Sequence, residues 1–313
     1  MKLCVYGIVR DEEANIAEWA ETTGDADARF VLDTGSTDNT RRELLFHGIG
    51  NLDAALDPFR FDDARNMALA LAPAADLYLR LDADERLPDG WRAMIEDAYH
   101  PDVPRYRYRV HNNGGIWNQI TRDDLHQRPG FRWKYPTHEV LTGPAAARDL
   151  PQLIIEHTSP PERRSHHLSN LSVLAEATTE YPGDHRMAFY FARELWYAGR
   201  WDDCRVAMTT FLDMPRGWGA ERAEAYRILA AIDYSPERWL WKAIGEAPER
   251  REPWVDLCRL FLKAGDAERA VGMFMEAERR TDQTAYTTDP GAWGGAFDDL
   301  RDTISKALDT VAQ

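Results

Sequence analysis

The sequence is poor in cysteine. Its 313 residues include only Cys4, Cys204 and Cys258, and each lies within an apolar stretch. Isolated cysteines in apolar surroundings are typical of buried thiols. We therefore expect neither a disulfide framework nor a cysteine-based metal cluster.

Long apolar runs are missing as well. No segment approaches the roughly 18 consecutive apolar residues that a membrane-spanning helix needs. The first residues, MKLCVYGIV, are followed by charged residues too early for a secretory signal peptide. These two absences lead us to expect a cytoplasmic protein without a membrane span.

Positive charge is scarce. The chain has 38 Lys and Arg residues against 53 Asp and Glu residues, which gives a net charge of -15 at pH 7. A surplus of negative charge favours solubility and opposes sequence-independent binding to a phosphate backbone. Nucleic acid is therefore a less favoured partner, although it stays among the open classes.

The pattern of apolar residues divides the chain near residue 160. Before that point, strand-like segments such as LCVYGIV, RFVLD and LYLRLD alternate with helical segments such as EEANIAEWAETT and FDDARNMALALA. Strands that alternate with helices predict a parallel or mixed α/β sheet covered on both faces. We predict one domain over residues 1–160 and a second over residues 161–313.

The second domain has only helical patterns. The spacing between Gly199 and Gly265 is close to two units of about 34 residues, the tetratricopeptide period. The clearest unit is PWVDLCRLFLKAGDAERAVGMFMEAERR, and an amphipathic segment from Trp293 to Leu308 could cap the array. We predict an all-α repeat domain, with a generic helical bundle as the alternative.

Oxygen-bearing side chains follow two predicted strands. DTGSTDNT places Asp33 at one strand end, and DADE places Asp82 and Asp84 at another. Ligands of open α/β sheets bind beyond such ends. Burying clustered carboxylates is costly unless a cation or hydrogen-bond donors compensate them, and Mg²⁺ or Mn²⁺ would do so and also bridge to phosphate. The alternatives are a helix cap within DTGSTDNT and a solvated acidic loop.

Four ordered segments carry a family resemblance. VLDTGSTDNT, FDDARNMALALA and LYLRLDADE resemble the family 2 glycosyltransferases of the GT-A fold, over roughly residues 3–160. FRWKYPTHEVL is similar to the Trp-rich "HE" stretch of a subgroup that often carries tetratricopeptide repeats. The resemblance implies a Rossmann-like mixed sheet, a helical repeat domain and a nucleotide-sugar donor. Among such donors, a UDP-sugar is the first candidate.

The resemblance also implies roles for residues of the donor site. Asp33 would contact the base, Val9 and Arg10 would line the nucleotide pocket, and Arg65 and Asn66 would lie beside base, ribose or phosphate. The subgroup usually has Asn where this chain has Asp11. An acid is unfavourable near phosphates, so we expect Asp11 to point away and to cap the helix that follows.

A metal site is implied at the acidic run. Asp82 would reach the ribose or the ion, Asp84 would ligate the ion, and Ala83 lies between them at the nucleotide. His157 ends the late strand LPQLIIEH and could return to the metal, and imidazole suits Mn²⁺ better than Mg²⁺. An edge histidine with a structural role is the alternative.

Inverting transfer needs a base beside the acceptor. Glu139 is the first candidate and His138 its closest rival. Because Glu139 is far in sequence from the strand ends, we expect it to act on the acceptor and not on the donor. In the structural alternative, Glu139 pairs with a nearby arginine such as Arg132, and His138 bonds the strand end.

The stretch VHNNGGIWNQITRDDLHQRPGFRWKYP is interpreted as a long aromatic loop that could close over a substrate. Its candidate residues for stacking or hinging are Trp117, Trp133, Tyr135, Gly114 and Gly115. Packing of Trp133 under the sheet is the alternative. His166 and His167 could lie on the rim of an acceptor cleft.

The sequence favours an inverting, metal-dependent glycosyltransferase. Tetratricopeptide grooves commonly hold extended peptides, so a peptide or protein acceptor is slightly favoured over polysaccharide, lipid-linked sugar and a modified nucleic-acid base. The main alternative is a degenerate nucleotide-sugar-binding module whose repeats act as a protein scaffold. Nucleotidyl transfer ranks last, because GIVRDEEAN has one glycine where a phosphate loop needs several.

Overall fold

The computed structural model describes residues 1–112, 120–158, 167–215, 217–282 and 289–311. The chain divides into two compact units, Met1–Ser165 and His166–Gln313. No helix among the described residues combines the length and the apolar content that crossing a membrane requires.

The first unit contains ten strands and four helices among its described residues. Its strands are β1 Leu3–Val9, β2 Ala28–Asp33, β3 Gly50–Asp53, β4 Leu77–Arg80, β5 Glu85–Arg86, β6 Arg105–Asn112, β7 Ile120–His126, β8 Arg132–Lys134, β9 Val140–Thr142 and β10 Arg148–His157. Its helices are α1 Glu13–Thr22, α2 Thr40–Phe46, α3 Phe61–Leu71 and α4 Trp91–Ala98.

Eight of these strands form one mixed sheet in the order β3-β2-β1-β4-β7-β6-β10-β5, and β8 and β9 form a separate antiparallel pair. β1 is parallel to β2 and β4, whereas β7 is antiparallel to both β4 and β6. The carboxyl ends of β1, β2 and β4 therefore meet at one edge of the sheet. The predicted mixed α/β domain is confirmed.

Both faces of the sheet are covered. Along β1, Leu3 and Val5 pack into a core that includes Trp19 of α1, whereas Cys4 and Tyr6 join a second core with α3. Successive residues of a strand point to opposite faces, so a strand buried on both faces is apolar throughout. This explains the continuous apolar run LCVYGIV.

The predicted long loop is wrong in two of its parts, which form strands. Ile120–His126 forms β7 and Arg132–Lys134 forms β8. Three of the candidate lid residues, Gly114, Gly115 and Trp117, lie outside the described residues. Trp133 is 3% exposed, so the alternative in which it packs under the sheet is correct.

The second unit is helical throughout its described residues, apart from turns and one short 3-10 segment. Its helices are α5 His167–Glu180, α6 His185–Tyr197, α7 Trp201–Asp213, α8 Gly219–Ala231, α9 Pro236–Glu246, α10 Glu252–Lys263, α11 Ala267–Glu278 and α12 Gly294–Val311. Neighbouring helices pack as the hairpins α6–α7, α8–α9 and α10–α11, and α12 packs on α11.

Two of these hairpins turn at the glycines that suggested the repeat. Gly199 follows α6 and Gly265 follows α10, with φ of +71° and +76°. This left-handed conformation is the usual way to end a helix before a tight turn, and glycine adopts it without steric cost. The predicted all-α repeat domain is confirmed. The three cysteines are free and buried, as expected.

Candidate functional site

The loops that follow β1 and β2 hold each other in place. The carboxylate of Asp33 is fully buried, and its Oδ1 accepts hydrogen bonds from the backbone N–H groups of Gly35 (2.8 Å) and Ser36 (2.7 Å). The guanidinium of Arg41 lies 3.4 Å from the Oδ2 atom. Asp33 therefore shapes the DTGSTDNT loop from within, at the position where the sequence predicts contact with a base.

Asp11 does not cap α1, and this part of the prediction is wrong. Its Oδ1 atom accepts hydrogen bonds from the backbone N–H groups of Thr37 (2.6 Å) and Asp38 (3.4 Å). Glu12 occupies the N-cap position of α1 instead. The left-handed φ of +54° at Asp11 turns its side chain toward the neighbouring loop. Beside it, Val9 is buried and Arg10 is exposed.

Helix α3 holds the segment that contains the predicted base. The side-chain amide of Asn66 donates to the carbonyl oxygen of Trp133 and accepts from its N–H, both at 2.9 Å. The indole N–H of Trp133 donates to the hydroxyl of Tyr6 (3.0 Å). Asn66 is thus committed to the backbone of the FRWKYPTHEVL segment and not directed at a ligand.

Arg65 joins the predicted base to the acidic run. Its Nε donates to Glu139 Oε1 at 2.6 Å, and its Nη1 donates to Asp82 Oδ1 at 3.1 Å. The guanidinium also lies 5.3 Å from the ring centroid of Trp133. Glu139 and Asp82 therefore lie on either side of one cation, so the predicted base is close to the acidic run in space although it is far from it in sequence.

Further charges extend this contact into a buried arginine–carboxylate network. Arg80 bonds Asp82 Oδ2 and Asp124 Oδ2, the latter at 2.9 Å, and Arg122 bonds Glu85. The hydroxyl of Tyr108 donates to the other oxygen of Asp124. The network consists of Arg65, Arg80, Arg122, Asp82, Glu85, Asp124 and Glu139.

The network tunes the protonation of its carboxylates. Burial opposes ionisation of Asp82, but Arg65 and Arg80 outweigh it and hold the pKa of Asp82 below its ordinary value. Burial likewise opposes ionisation of Glu139, and Arg65 again holds its pKa below the ordinary value. Both groups are therefore charged near neutral pH, and Glu139 is a weaker base than an unpaired carboxylate.

The pairing of β5 with β10 completes the acidic end of the site. His157 is the register partner of Glu85, which brings its Nε2 to 3.4 Å from Asp84 Oδ2. The backbone N–H of Thr158 also donates to the carbonyl oxygen of Asp84 at 2.8 Å. The hydrogen bond with Asp84 raises the pKa of His157. The structure therefore brings Asp84 and His157 together.

These two side chains fit part of a divalent-ion site. Adjacent ligands of an octahedral ion with bonds of about 2.1 Å lie about 3.0 Å apart, close to the observed separation. Among the described residues, no set of three His, Cys, Asp or Glu side chains is placed to hold one ion. Asp82 therefore does not form a three-ligand site with Asp84 and His157. An oxygen and an imidazole nitrogen suit Mn²⁺ and leave positions for phosphate and water.

The PTHE segment has unusual backbone geometry. Tyr135 and His138 adopt φ of +84° and +52°, values that residues with a Cβ rarely adopt. The segment is fixed from outside, because the N–H of Phe61 donates to the carbonyl oxygen of Pro136 at 2.9 Å. Tyr135 is buried and His138 is half-buried. Strained residues that the surroundings enforce often mark functional sites.

Sequence reasoning missed Arg80, Arg122 and Asp124. The signal for Arg80 is a charged residue at the end of the buried strand LYLR. The other two lie in TRDDLH, which alone resembles a polar loop. Two histidines were predicted for the rim of an acceptor cleft; His166 lies outside the described residues, as does the side chain of His167. Ala83, 5% exposed, contributes mainly backbone to the acidic turn.

The chain was compared with known proteins. No family model and no curated protein matches it. The glucosyl-3-phosphoglycerate synthase from Mycobacterium tuberculosis, solved with Mn²⁺, UDP and glucosyl-3-phosphoglycerate, is 16% identical. That match covers 56% of this chain and 79% of the synthase, with a TM-score of 0.38.

The MamA protein is 14% identical, over 47% of this chain and 82% of MamA, with a TM-score of 0.34. A mycobacterial protein is 14% identical, over 56% of this chain and 74% of its own, with a TM-score of 0.39. Each TM-score lies below 0.5, so none of these structures assigns a function to this chain.

Proposed function

We propose that the first unit is a metal-dependent glycosyltransferase that moves a sugar from a nucleotide-sugar donor. The first candidate for this donor is a UDP-sugar. The observation that carries this proposal is the contact between Asp84 and His157 at the acidic end of β4. This contact brings the DADE run and His157 together, beside the loops where the family resemblance predicts a bound nucleotide.

The donor would lie across the carboxyl ends of β1, β2 and β4. Asp84 and His157 would hold Mn²⁺ or Mg²⁺, and the bound ion would supply charge stabilisation to the diphosphate leaving group. Val9 and Arg10 would line the nucleotide pocket. Asp33 would act through the DTGSTDNT loop, because its own carboxylate is buried among backbone N–H groups.

The acceptor would approach the PTHE segment, and transfer would invert the sugar. Glu139 is the proposed base and His138 its rival. The Arg65–Glu139 contact keeps the carboxylate ionised, so it can accept a proton over the whole neutral range, although with a modest driving force. Asp82, held between Arg65 and Arg80, would present its fixed charge to the ribose side.

A peptide or protein docked on the helical repeats is the favoured acceptor. Polysaccharide, lipid-linked sugar and a modified nucleic-acid base are the other classes. The alternative function, a nucleotide-sugar-binding module without turnover, shares the donor site. Release of UDP from UDP-sugars separates the two, because the module binds the donor without cleaving it.

The test is thermal unfolding with UDP and a panel of UDP-sugars, each with and without Mn²⁺. A ligand at one hundred times its Kd stabilises by about 2.7 kcal/mol, which corresponds to a rise in Tm of roughly 5–10 °C. We expect Asp84→Asn and His157→Ala to abolish the Mn²⁺-dependent part of this rise.

The matched control is His111→Ala. His111 pairs with Glu156 at 2.9 Å in the same sheet, and Glu156 points to the opposite face from His157 because successive strand residues alternate. The control should keep the full response to Mn²⁺. If the unsubstituted protein shows no response to any donor with Mn²⁺, the proposed function is wrong.

A further inference from the structure

Arg80 is a buried cation at the point where the acidic run begins. It is 7% exposed, ends β4 and lies 5.7 Å from the ring centroid of Trp133. Its guanidinium faces three carboxylates: it bonds Asp82, lies 3.6 Å from Glu85 and bonds Asp124 at 2.9 Å. One side chain therefore contacts both ends of the segment from Asp82 to Glu85.

That segment is a tight turn with Ala83 and Asp84 at its tip. The N–H of Glu85 donates to the carbonyl oxygen of Asp82 at 3.0 Å, which closes the turn. The carboxylate of Glu85 accepts from the N–H of Asp82, also at 3.0 Å. The turn is thus closed by two hydrogen bonds, and Arg80 contacts the carboxylates at both of its ends.

We propose that Arg80 is a positioning residue that holds this turn so that Asp84 faces His157. The proposal depends on the function proposed above. Arg65 bonds Asp82 and Arg122 bonds Glu85, whereas Arg80 contacts both carboxylates and so opposes the repulsion between them that would open the turn. Arg80 acts through these two carboxylates and does not itself touch the ion.

A guanidinium is needed for this task. Its Nε reaches Asp124 while its Nη1 reaches Asp82 and Glu85, so the fork divides its donors between two directions. An ammonium group is a single point charge and cannot bond in both directions from the same position. Lysine at this position would preserve the charge but lose part of the alignment.

Arg105 provides a matched control. It is also 7% exposed, lies in the same sheet and bonds the neighbouring carboxylate Asp123 at 2.5 Å. Its guanidinium packs over Phe131, away from the acidic turn, at 4.8 Å from the ring centroid. Substitution of Arg105 therefore tests the general cost of losing a buried arginine from this sheet.

The experiment measures the affinity for UDP by calorimetry, with and without Mn²⁺, in the full-length protein. We expect Arg80→Lys to lose about tenfold or more of the Mn²⁺-dependent gain in affinity, the range typical of residues that orient metal ligands. The affinity for UDP without Mn²⁺ should stay near the parental value. Arg105→Gln should keep the Mn²⁺-dependent gain.

A second variant guards against misfolding of the first. Arg80→Gln combined with Asp124→Asn removes one positive and one negative buried charge together, so the net buried charge is unchanged, and Asp124→Asn alone is its reference. The double variant should lose about tenfold or more of the Mn²⁺-dependent gain relative to the Asp124→Asn reference. The proposal is overturned if either folded Arg80 variant keeps the gain within about twofold, below the usual range for such residues.

The outcome also separates this proposal from the proposed function. If the unsubstituted protein binds UDP without any gain from Mn²⁺, the metal-dependent function itself is wrong. If the unsubstituted protein shows the gain and the Arg80 variants share it, the function stands and only the positioning role is wrong.

Discussion

At the scale of single residues, Arg65 links the predicted base to the acidic run. It bonds Glu139 and Asp82 at once, so a change in either carboxylate alters the field that the other experiences. A carboxylate that pairs with a buried guanidinium leaves a poorly compensated cation when it is removed. Substitution of Glu139, the proposed base, should therefore also change the affinity for the donor.

For Glu139→Gln we expect turnover to fall by roughly 10²–10⁴-fold, the range for loss of a general base. Donor affinity should weaken as well, because Arg65 then pairs with Asp82 alone. The measurements are kcat and the affinity for UDP with Mn²⁺, with His138→Ala for comparison. Near-parental turnover would remove Glu139 as the base and transfer the role to His138 or to an acid of the DADE run.

The pH dependence of turnover should reflect the contact between Arg65 and Glu139. Glu139 must be deprotonated to act as a base, and its pKa lies below the ordinary value of 4.5 because Arg65 outweighs the effect of burial. Turnover that depends on Glu139 is thus complete at neutral pH and is lost only as the pH falls below about 4.5. An acid limb near pH 6 that Glu139→Gln removes would contradict this assignment.

His126 should make the fold sensitive to acid. It is fully buried, its Nδ1 lies 2.5 Å from the carbonyl oxygen of Gln127 and its Nε2 lies 3.0 Å from the hydroxyl of Tyr6. A carbonyl only accepts, so Nδ1 donates and the neutral ring satisfies both contacts. Burial lowers the pKa of His126 from 6.5 to about 4.

The lowered pKa of His126 predicts that acid weakens the fold. As the pH falls, the unfolded chain takes up the proton before the folded one does. The contribution of neutral His126 to the free energy of unfolding is therefore complete above pH 6.5 and is lost as the pH falls toward 4, by about 3 kcal/mol in total. The check is the free energy of unfolding between pH 4 and 7 in the parent and in His126→Gln. Equal pH slopes in the two proteins would refute the prediction.

The positions of site residues were predictable where a motif places a side chain at a strand end. Asp84 and His157, whose side chains lie 3.4 Å apart, were predicted in this way, since strand ends can be recognised from the apolar pattern alone. Arg80 was not, because its role depends on which strand lies beside β4. That neighbour is β7, which is far along the chain and antiparallel to β4.

At the scale of elements, β7 shows why the alternation of polar and apolar residues did not reveal the buried charges of the site. One face of TRDDLH carries Arg122, Asp124 and His126, of which Asp124 and His126 are buried. Polar residues at alternate positions normally indicate the solvent face of a strand. Here they face inward, where Arg122 and Asp124 belong to the arginine–carboxylate network and His126 bonds Tyr6, so the alternation predicts the wrong face.

The close approach of β1 and the end of β4 requires glycine at position 7. A Cβ on Gly7 would lie 2.5 Å from the carbonyl oxygen of Leu81, a backbone atom that cannot rotate away. We expect Gly7→Ala to destabilise the first unit by about 1–3 kcal/mol, as overpacking does. Urea unfolding measures the effect, and an unchanged midpoint would show that the strands separate without cost.

The helical repeats offer a contrasting pair of glycines. Gly272 lies within α11 with open space around it, and Gly265 has φ of +76° after α10. Gly272→Ala should stabilise by roughly 0.5–1 kcal/mol, since glycine weakens a helix interior. Gly265→Ala should destabilise by about 1–2 kcal/mol because of its left-handed conformation. Thermal unfolding of both variants tests the assignment, and a shift of the same sign in both would contradict it.

At the scale of the whole molecule, the two units have separate cores. The clusters around β1 use residues of the first unit only, and the cluster around α10 uses residues of the second only. Units with their own cores can in principle fold alone. We expect residues 1–165 to fold and to bind UDP with Mn²⁺ as the full chain does. Loss of binding in a folded, soluble fragment would show that the helical unit completes the site.

The order of the strands also affects how copies of the molecule meet. The outermost strands of the sheet are β3 with four residues and β5 with two. An open edge can recruit a strand from another molecule, but a short edge offers few hydrogen bonds to the newcomer. Edge-to-edge aggregation of the folded protein is therefore disfavoured. On heating, turbidity should appear only after unfolding has begun.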